Sequence, residues 1–178
     1  MRKKTLWLAQ TALLLALLIV LQTVSKPAGQ LVTGSLVNAV LGVAAMFVGV
    51  GSGVTVALIS PVAAFLLGIA PQILTVPAIM AGNLTLVLLL GLGQTPDILR
   101  GALRCVCAAV AKFAVLYGLV VWGICHILAD QLMQAGLLKA PMLKTLTATF
   151  TWPQLITALV GSVAALCITR LLKKALRA

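Results

Sequence analysis

Apolar runs about as long as a bilayer is thick recur along this chain, and they limit what it can fold into. The first run, Leu6 to Val24, follows three cations and carries polar residues only near its ends. Roughly 20 apolar residues at 1.5 Å each span the ~30 Å hydrocarbon core of a membrane. The run is longer than the apolar region of a signal peptide, and no small-x-small cleavage site follows it. We therefore predict a retained transmembrane helix.

The overall composition extends this conclusion to the whole chain. Hydrophobic residues make up 62% of the 178 residues and charged residues 8%, and the mean hydropathy is +1.21. One aqueous core cannot bury that much apolar surface, so the bilayer must solvate most of it. A membrane barrel requires alternating apolar and polar residues, which the unbroken runs exclude. The sequence thus predicts an all-α polytopic membrane protein.

Glycine- and proline-rich breaks divide the chain into six predicted spans. A loop follows Ser25, a very tight turn is predicted at Gly49–Gly53, and Gly93–Asp97 forms another break. The mixed segment 129–151 is expected to hold a short interfacial helix. We predict a compact bundle of six transmembrane helices in a single domain, 1–178, with spans at about 6–25, 31–48, 54–69, 72–92, 100–128 and 152–172.

The cations are distributed unequally between the two sides of this predicted bundle. Nine fall on the side of the termini: Arg2, Lys3, Lys4, Arg100, Arg104, Arg170, Lys173, Lys174 and Arg177. Three fall on the opposite side: Lys26, Lys139 and Lys144. Because cytoplasmic loops carry the excess of cations, both termini are predicted to be cytoplasmic. Cations grouped at helix ends do not form a phosphate-binding stripe, so no nucleic-acid partner is expected despite the net charge of +11.

Few residues are available for catalysis or for holding a metal. The two carboxylates, Asp97 and Asp130, lie in or beside loops on opposite sides, and the single histidine, His126, is predicted far from Ser52. The four cysteines lie in apolar runs without metal-site or disulfide spacing, and there is no ATP-binding motif. We expect no enzyme, no metal and no cofactor.

Lys112 is the one ionisable residue predicted deep within a span. A charge near mid-bilayer costs at least ~2.5 kcal/mol, so it should face the bundle interior or a cavity. Asn83 is predicted at a similar depth in the preceding span. We interpret Lys112 as a substrate anchor for a carboxylate or phosphate. The alternative is a lysine that snorkels to the cytoplasmic headgroups or bonds helix carbonyls.

A second group of polar and aromatic residues is predicted in the outer halves of the last three spans. Aromatic planes together with amides suit a small planar solute. The alternative for the tryptophans is a place in the interfacial aromatic belt. The group comprises Gln72, Thr75, Asn83, Tyr117, Trp122, Trp152 and Gln154.

Ala12 and Ala16 lie one helical turn apart in the first span, where small residues let another helix approach closely. With this Ala-xxx-Ala step in the first of six helices, the chain resembles the substrate-binding S components of energy-coupling factor (ECF) transporters. Its length, termini, tight second turn and basic last helix are also similar to that family, although only Ala12 and Ala16 match a family motif.

The resemblance implies a mechanism and a location. Family members reside in bacterial-type cytoplasmic (inner) membranes and capture a vitamin or related micronutrient near the outer surface. They then dock through helix one onto a transmembrane coupling subunit, which two ATP-binding subunits drive. On this basis Lys26 and Gln30 in the first loop join the candidate ligand contacts.

Two other functions remain open: a stand-alone small permease, and a non-transport scaffold subunit whose polar residues only join helices. The sequence does not identify the substrate. A lone buried cation favours an anionic or carbonyl-rich solute, and the aromatic residues favour a ring.

Overall fold

The computed structural model describes residues 2–69 and 72–176, and in these ranges the chain forms helices joined by turns. Helix α2 continues as a π-helix, Ala44–Val48, and α5 continues as a π-helix, Tyr117–Ile127. Arg177, counted above with the C-terminal cations, lies outside the described residues. The α-helices are α1 (Arg2–Val24), α2 (Gln30–Val43), α3 (Val50–Leu66), α4 (Val76–Gly91), α5 (Ile98–Leu116), α6 (Ala129–Gln134), α7 (Ala140–Thr149) and α8 (Trp152–Ala175).

The outer surface of these helices is apolar, as expected for contact with lipid. Leu13, Leu66 and Leu99 are among many large apolar side chains that are exposed, and a soluble protein rarely shows apolar patches of this extent. Helix α3 is also apolar, but with 17 residues it is shorter than the helices that are long enough to cross a membrane. The prediction of an all-helical chain is confirmed for the described residues, and the long apolar helices are compatible with a membrane bundle. Within the described residues, five stretches are long and apolar enough to cross a membrane: Lys3–Val24, Gln30–Val48, Ile73–Gly91, Ile98–Ile127 and Ala140–Ala175.

The turn between α2 and α3 is shorter than predicted. Gly49 alone breaks the helix, with a φ of 130° that other residues rarely adopt, and α3 begins at Val50 instead of Val54. Gly53 therefore lies inside α3, where a Cβ would be 2.9 Å from the Cβ of Ala45 and 2.7 Å from Val87. This glycine permits close helix packing, which the sequence pattern alone did not distinguish from a turn.

Two further boundaries differ from the sequence prediction. Helix α4 begins at Val76, after a 3-10 turn at Ile73–Thr75, and not at residue 72. The segment 129–151 holds two short helices, α6 and α7, where one was predicted.

The long helices form a closed ring in the order α1, α2, α8, α5, α4 and α3, and α3 packs back onto α1. At one end, which we call the terminal end, Trp7 lies beside Gly51, and Arg170 donates to the carbonyl of Pro96 over 3.1 Å. The other end, which we call the loop end, holds the α1–α2 and α3–α4 turns together with α6 and α7.

Helices α2 and α8 make the most extensive packing contact in the ring. At Gly161 in α8, a Cβ would lie 2.6 Å from the carbonyl oxygen of Ser35 and closer still to the Cβ of Asn38. Because backbone atoms cannot rotate away, this crossing requires glycine.

We expect Gly161→Ala to separate α2 from α8 and to lower the thermal unfolding midpoint in detergent. Overpacking of this kind costs about 1–3 kcal/mol. Gly118→Ala is the matched control, because nothing lies within 4 Å of a Cβ there. Equal midpoints for the two variants would show that the crossing tolerates a side chain.

Candidate functional site

Lys112 lies at the centre of a polar cluster inside the helix ring. The side chain comes from α5 and is only 3% exposed. Its Nζ donates to Oδ1 of Asn38 in α2 over 2.5 Å and to Oδ1 of Asn83 in α4 over 2.7 Å. The ammonium group is therefore held in the bundle interior, and this geometry is not that of a lysine reaching the headgroups.

The charge of Lys112 is not balanced by a carboxylate. The one ion pair within residues 2–69 and 72–176 joins Arg100 to Asp97 over 3.5 Å, near the terminal end. Asp130 lies exposed in α6. Two amide oxygens stabilise an ammonium group but do not neutralise it, and an ammonium group has three donors. Lys112 thus offers a positive charge, with one donor not used by the two asparagines.

A cavity of about 120 Å³ adjoins Lys112 and extends towards the loop end. Residues from seven of the helices line it. Its apolar walls include Val37, Pro61, Ile79, Leu116 and Phe150. Its polar lining consists of Gln22, Gln30, Thr33, Asn38, Ser60, Asn83, Lys112, Thr149 and Gln154.

Two of the lining side chains carry buried polar atoms without a protein partner. Nε2 of Gln22 and Oγ of Ser60 are inaccessible to solvent and make no hydrogen bond within the described residues. Leaving such atoms unpaired costs about 1–3 kcal/mol each, so they are often matched by a ligand or by ordered water. Around Lys112, these groups are available to a small polar molecule.

Of the ten candidate contacts named from the sequence, four line this cavity: Lys112, Asn83, Gln154 and Gln30. Their convergence from four helices follows from the ring arrangement, which turns one side of each helix inward.

Four further candidates, three aromatic residues and Gln72, do not line the cavity. Tyr117, Trp122 and Trp152 are 40%, 60% and 70% exposed, and Trp152 stacks on Phe113 with ring centroids 6.4 Å apart. The aromatic rings therefore face outward, as the interfacial-belt alternative requires. Gln72 points its Nε2 at Sδ of Met142 over 3.2 Å and joins α7 to the α3–α4 turn.

The remaining two candidates, Lys26 and Thr75, bond backbone carbonyls and do not line the cavity. Lys26 donates its Nζ to the carbonyl of Gly68 over 2.8 Å and ties two loop-end turns together. Thr75 is buried and donates to the carbonyl of Gln72 over 2.7 Å.

Asn38, Gln22 and Ser60 are lining residues that sequence reasoning did not select. The available signal was a polar side chain within an otherwise apolar run, which predicts an inward-facing position.

The small-residue face of α1 is exposed along the outside of the ring. Ala9, Ala12 and Ala16 are all exposed, whereas Leu18 and Gln22 on the opposite face are buried. Helix α1 is also the least buried of the long helices. No other part of the described chain covers this face.

The fold and the cavity together define a helical membrane protein with an internal polar cavity. Within the described residues, no group of three His, Cys, Asp or Glu side chains is placed to hold a metal ion. No protein-family model, curated protein or solved structure matches the chain.

Proposed function

We propose that this protein is a membrane-embedded substrate-binding subunit for the uptake of a vitamin or related micronutrient, similar to an ECF-type S component. The observation that carries the proposal is the cavity around Lys112. It combines the buried amino group of Lys112, held by two asparagine oxygens, with unpaired amide and hydroxyl groups inside an otherwise apolar bundle.

The chemistry of the cavity favours a small anionic or carbonyl-rich solute. The ammonium group of Lys112 attracts a carboxylate, phosphate or polarised carbonyl oxygen, and charge-assisted hydrogen bonds of this kind are the strong ones. The amides of Gln22 and Gln154 supply donors and acceptors nearby. The apolar walls around Leu116 and Phe150 suit the less polar part of the same molecule.

The cavity is closed towards the terminal end by packed apolar side chains. Leu18, Leu41, Leu86 and Ala158 are fully or almost fully buried there. A bound solute would therefore need a rearrangement to reach the other side. In the described part of the chain, no carboxylate lines the cavity to relay protons. The sequence also has no ATP-binding motif, so we assign the driving energy to partner subunits.

The partners we propose are a transmembrane coupling subunit and two ATP-binding subunits. The exposed face of Ala9, Ala12 and Ala16 supports docking on the coupling subunit, because small residues allow helix backbones to approach closely in lipid. In this proposal α3 also spans, giving six spans with both termini in the cytoplasm of a bacterial-type cell. The excess of cations at the terminal end supports that orientation.

Native mass spectrometry of the protein gently extracted from its own membranes tests this proposal. We expect a complex with one membrane subunit and two ATPase subunits, and a small molecule released on collisional activation. Chemical crosslinking before extraction controls for partners lost in detergent. A crosslinked sample that contains only monomer or homodimer without a small ligand would favour the stand-alone permease or the scaffold subunit.

A further inference from the structure

A second cavity, of about 850 Å³, lies at the terminal end of the bundle. The α4–α5 turn, the first two turns of α5 and the last turns of α8 surround it. It is thus at the opposite end from the cavity around Lys112 and shares no lining residue with it.

Four cations line this second cavity: Arg104, Arg170, Lys173 and Lys174. Two of them bond only neutral groups. Arg170 donates to the carbonyl of Asp97 over 2.9 Å, and Lys173 donates to Oε1 of Gln94 over 2.6 Å. These bonds fix the positions of the charges without neutralising them.

Among the described residues, no carboxylate lines the cavity to balance these cations. Asp97 contributes its carbonyl to Arg170, but its carboxylate lies 3.5 Å from Arg100 and is about half exposed. The cavity therefore has a strong positive potential, because four like charges surround one space.

Thr169 provides an independent indication of a ligand. Its side chain lines the cavity and is 3% exposed, and its Oγ1 is buried without a hydrogen-bond partner in the described residues. A threonine hydroxyl in a helix usually bonds a carbonyl of the preceding turn. This one is left available for an acceptor in the cavity.

We propose that the second cavity binds a phosphate group, with Arg104 and Lys174 supplying charge and Thr169 donating its hydroxyl. Phosphate oxygens are the acceptors that arginine and lysine prefer in such sites. Met46, Leu90 and Leu166 add apolar lining beside the cations, which suits the glycerol and acyl carbons of an anionic phospholipid. Basic pockets between transmembrane helices are known sites for such headgroups.

The site is independent of the proposed uptake function, since it uses none of the residues around Lys112. The test uses the purified full-length protein in neutral maltoside micelles. Three probes are titrated by calorimetry: short-chain phosphatidylglycerol, short-chain phosphatidylcholine and inorganic phosphate.

We expect phosphatidylglycerol to bind at a stoichiometry of one, and phosphatidylcholine to bind much more weakly. The double variant Arg104→Gln/Lys174→Gln should weaken binding by at least about tenfold, as expected for the loss of charge-assisted hydrogen bonds. The matched control is Lys139→Gln/Lys144→Gln, which removes the same charge from exposed positions at the loop end. It should keep the affinity of the unmodified protein.

Thr169→Val distinguishes a built site from diffuse surface charge. It keeps the side-chain shape and removes a hydroxyl that has no partner, so the unfolding midpoint without ligand should stay unchanged or rise. Phosphatidylglycerol affinity should fall about tenfold in this variant.

Equal binding of phosphate and phosphatidylglycerol would support the site and identify a free anion as its ligand. Binding of the lipid alone would support the site and identify a membrane phospholipid. The proposal is overturned if neither probe binds, if the control variant loses as much affinity as the cavity variant, or if Thr169→Val binds as tightly as the unmodified protein.

Discussion

Replacing Lys112 with methionine is expected to abolish the retention of small molecules by the purified protein. Lys112 is the only charged side chain of the described residues that lines the cavity, and it already holds the oxygens of Asn38 and Asn83 in place. In the Lys112→Met protein, a ligand lacks one charge-assisted hydrogen bond. The side-chain amides of Asn38 and Asn83 also lose the group that orients them. At about 1.5–3 kcal/mol for the bond alone, affinity should fall by one to two orders of magnitude.

The same substitution should leave the fold intact, because removing a buried charge also removes the cost of desolvating it. Small molecules released from equal amounts of folded protein are quantified by mass spectrometry after solvent extraction. Lys144→Met is the matched control, since Lys144 is exposed at the loop end and does not line the cavity. Undiminished retention in a folded Lys112→Met protein would mean that Lys112 only joins three helices.

Ala12→Leu combined with Ala16→Leu is expected to reduce uptake to background without affecting ligand retention. The two alanines lie on the exposed face of α1, and neither lines the central cavity. Leucine at both positions keeps a partner helix at a distance. With about 1–3 kcal/mol per overpacked position, docking should weaken about a hundredfold or more.

Uptake by cells and ligand retention by purified protein are measured on the same variants. The double variant Cys107→Leu/Ala114→Leu is the matched control, because it adds similar bulk to an exposed face of α5. Normal uptake in the α1 variant would contradict docking through this face. Loss of retention in it would instead indicate damage to the bundle.

Much of the helix pattern was predictable because the bilayer sets a minimum length for apolar runs. Breaks at Gly49 and near Pro96 were visible as interruptions of those runs, and a shared depth for Lys112 and Asn83 was inferred from residue counts alone. The structure places these two side chains 2.7 Å apart. That both side chains point into the bundle was predictable, because exposing a polar group to lipid costs free energy.

The composition of the cavity was less predictable, and the aromatic residues show why. Lipid and the bundle core are both apolar, so these helices have little amphipathic pattern to reveal which side faces inward. Trp122 and Trp152 suited a ligand pocket and a membrane interface equally well by residue type. The structure turns both of them outward.

By itself the sequence determined that this is a membrane protein, because the apolar surface of so hydrophobic a chain requires lipid as its solvent. It also determined that the side chain of Lys112 could not face that lipid. Only the tertiary structure decided which polar groups Lys112 meets. The ring order of the helices brings Asn38, Gln22 and Ser60 to the same space from distant positions in the chain. Such convergence depends on how the helices pack at crossings such as the one between α8 and α2 at Gly161. The spacing of residues along one helix does not show which other helices pack against it.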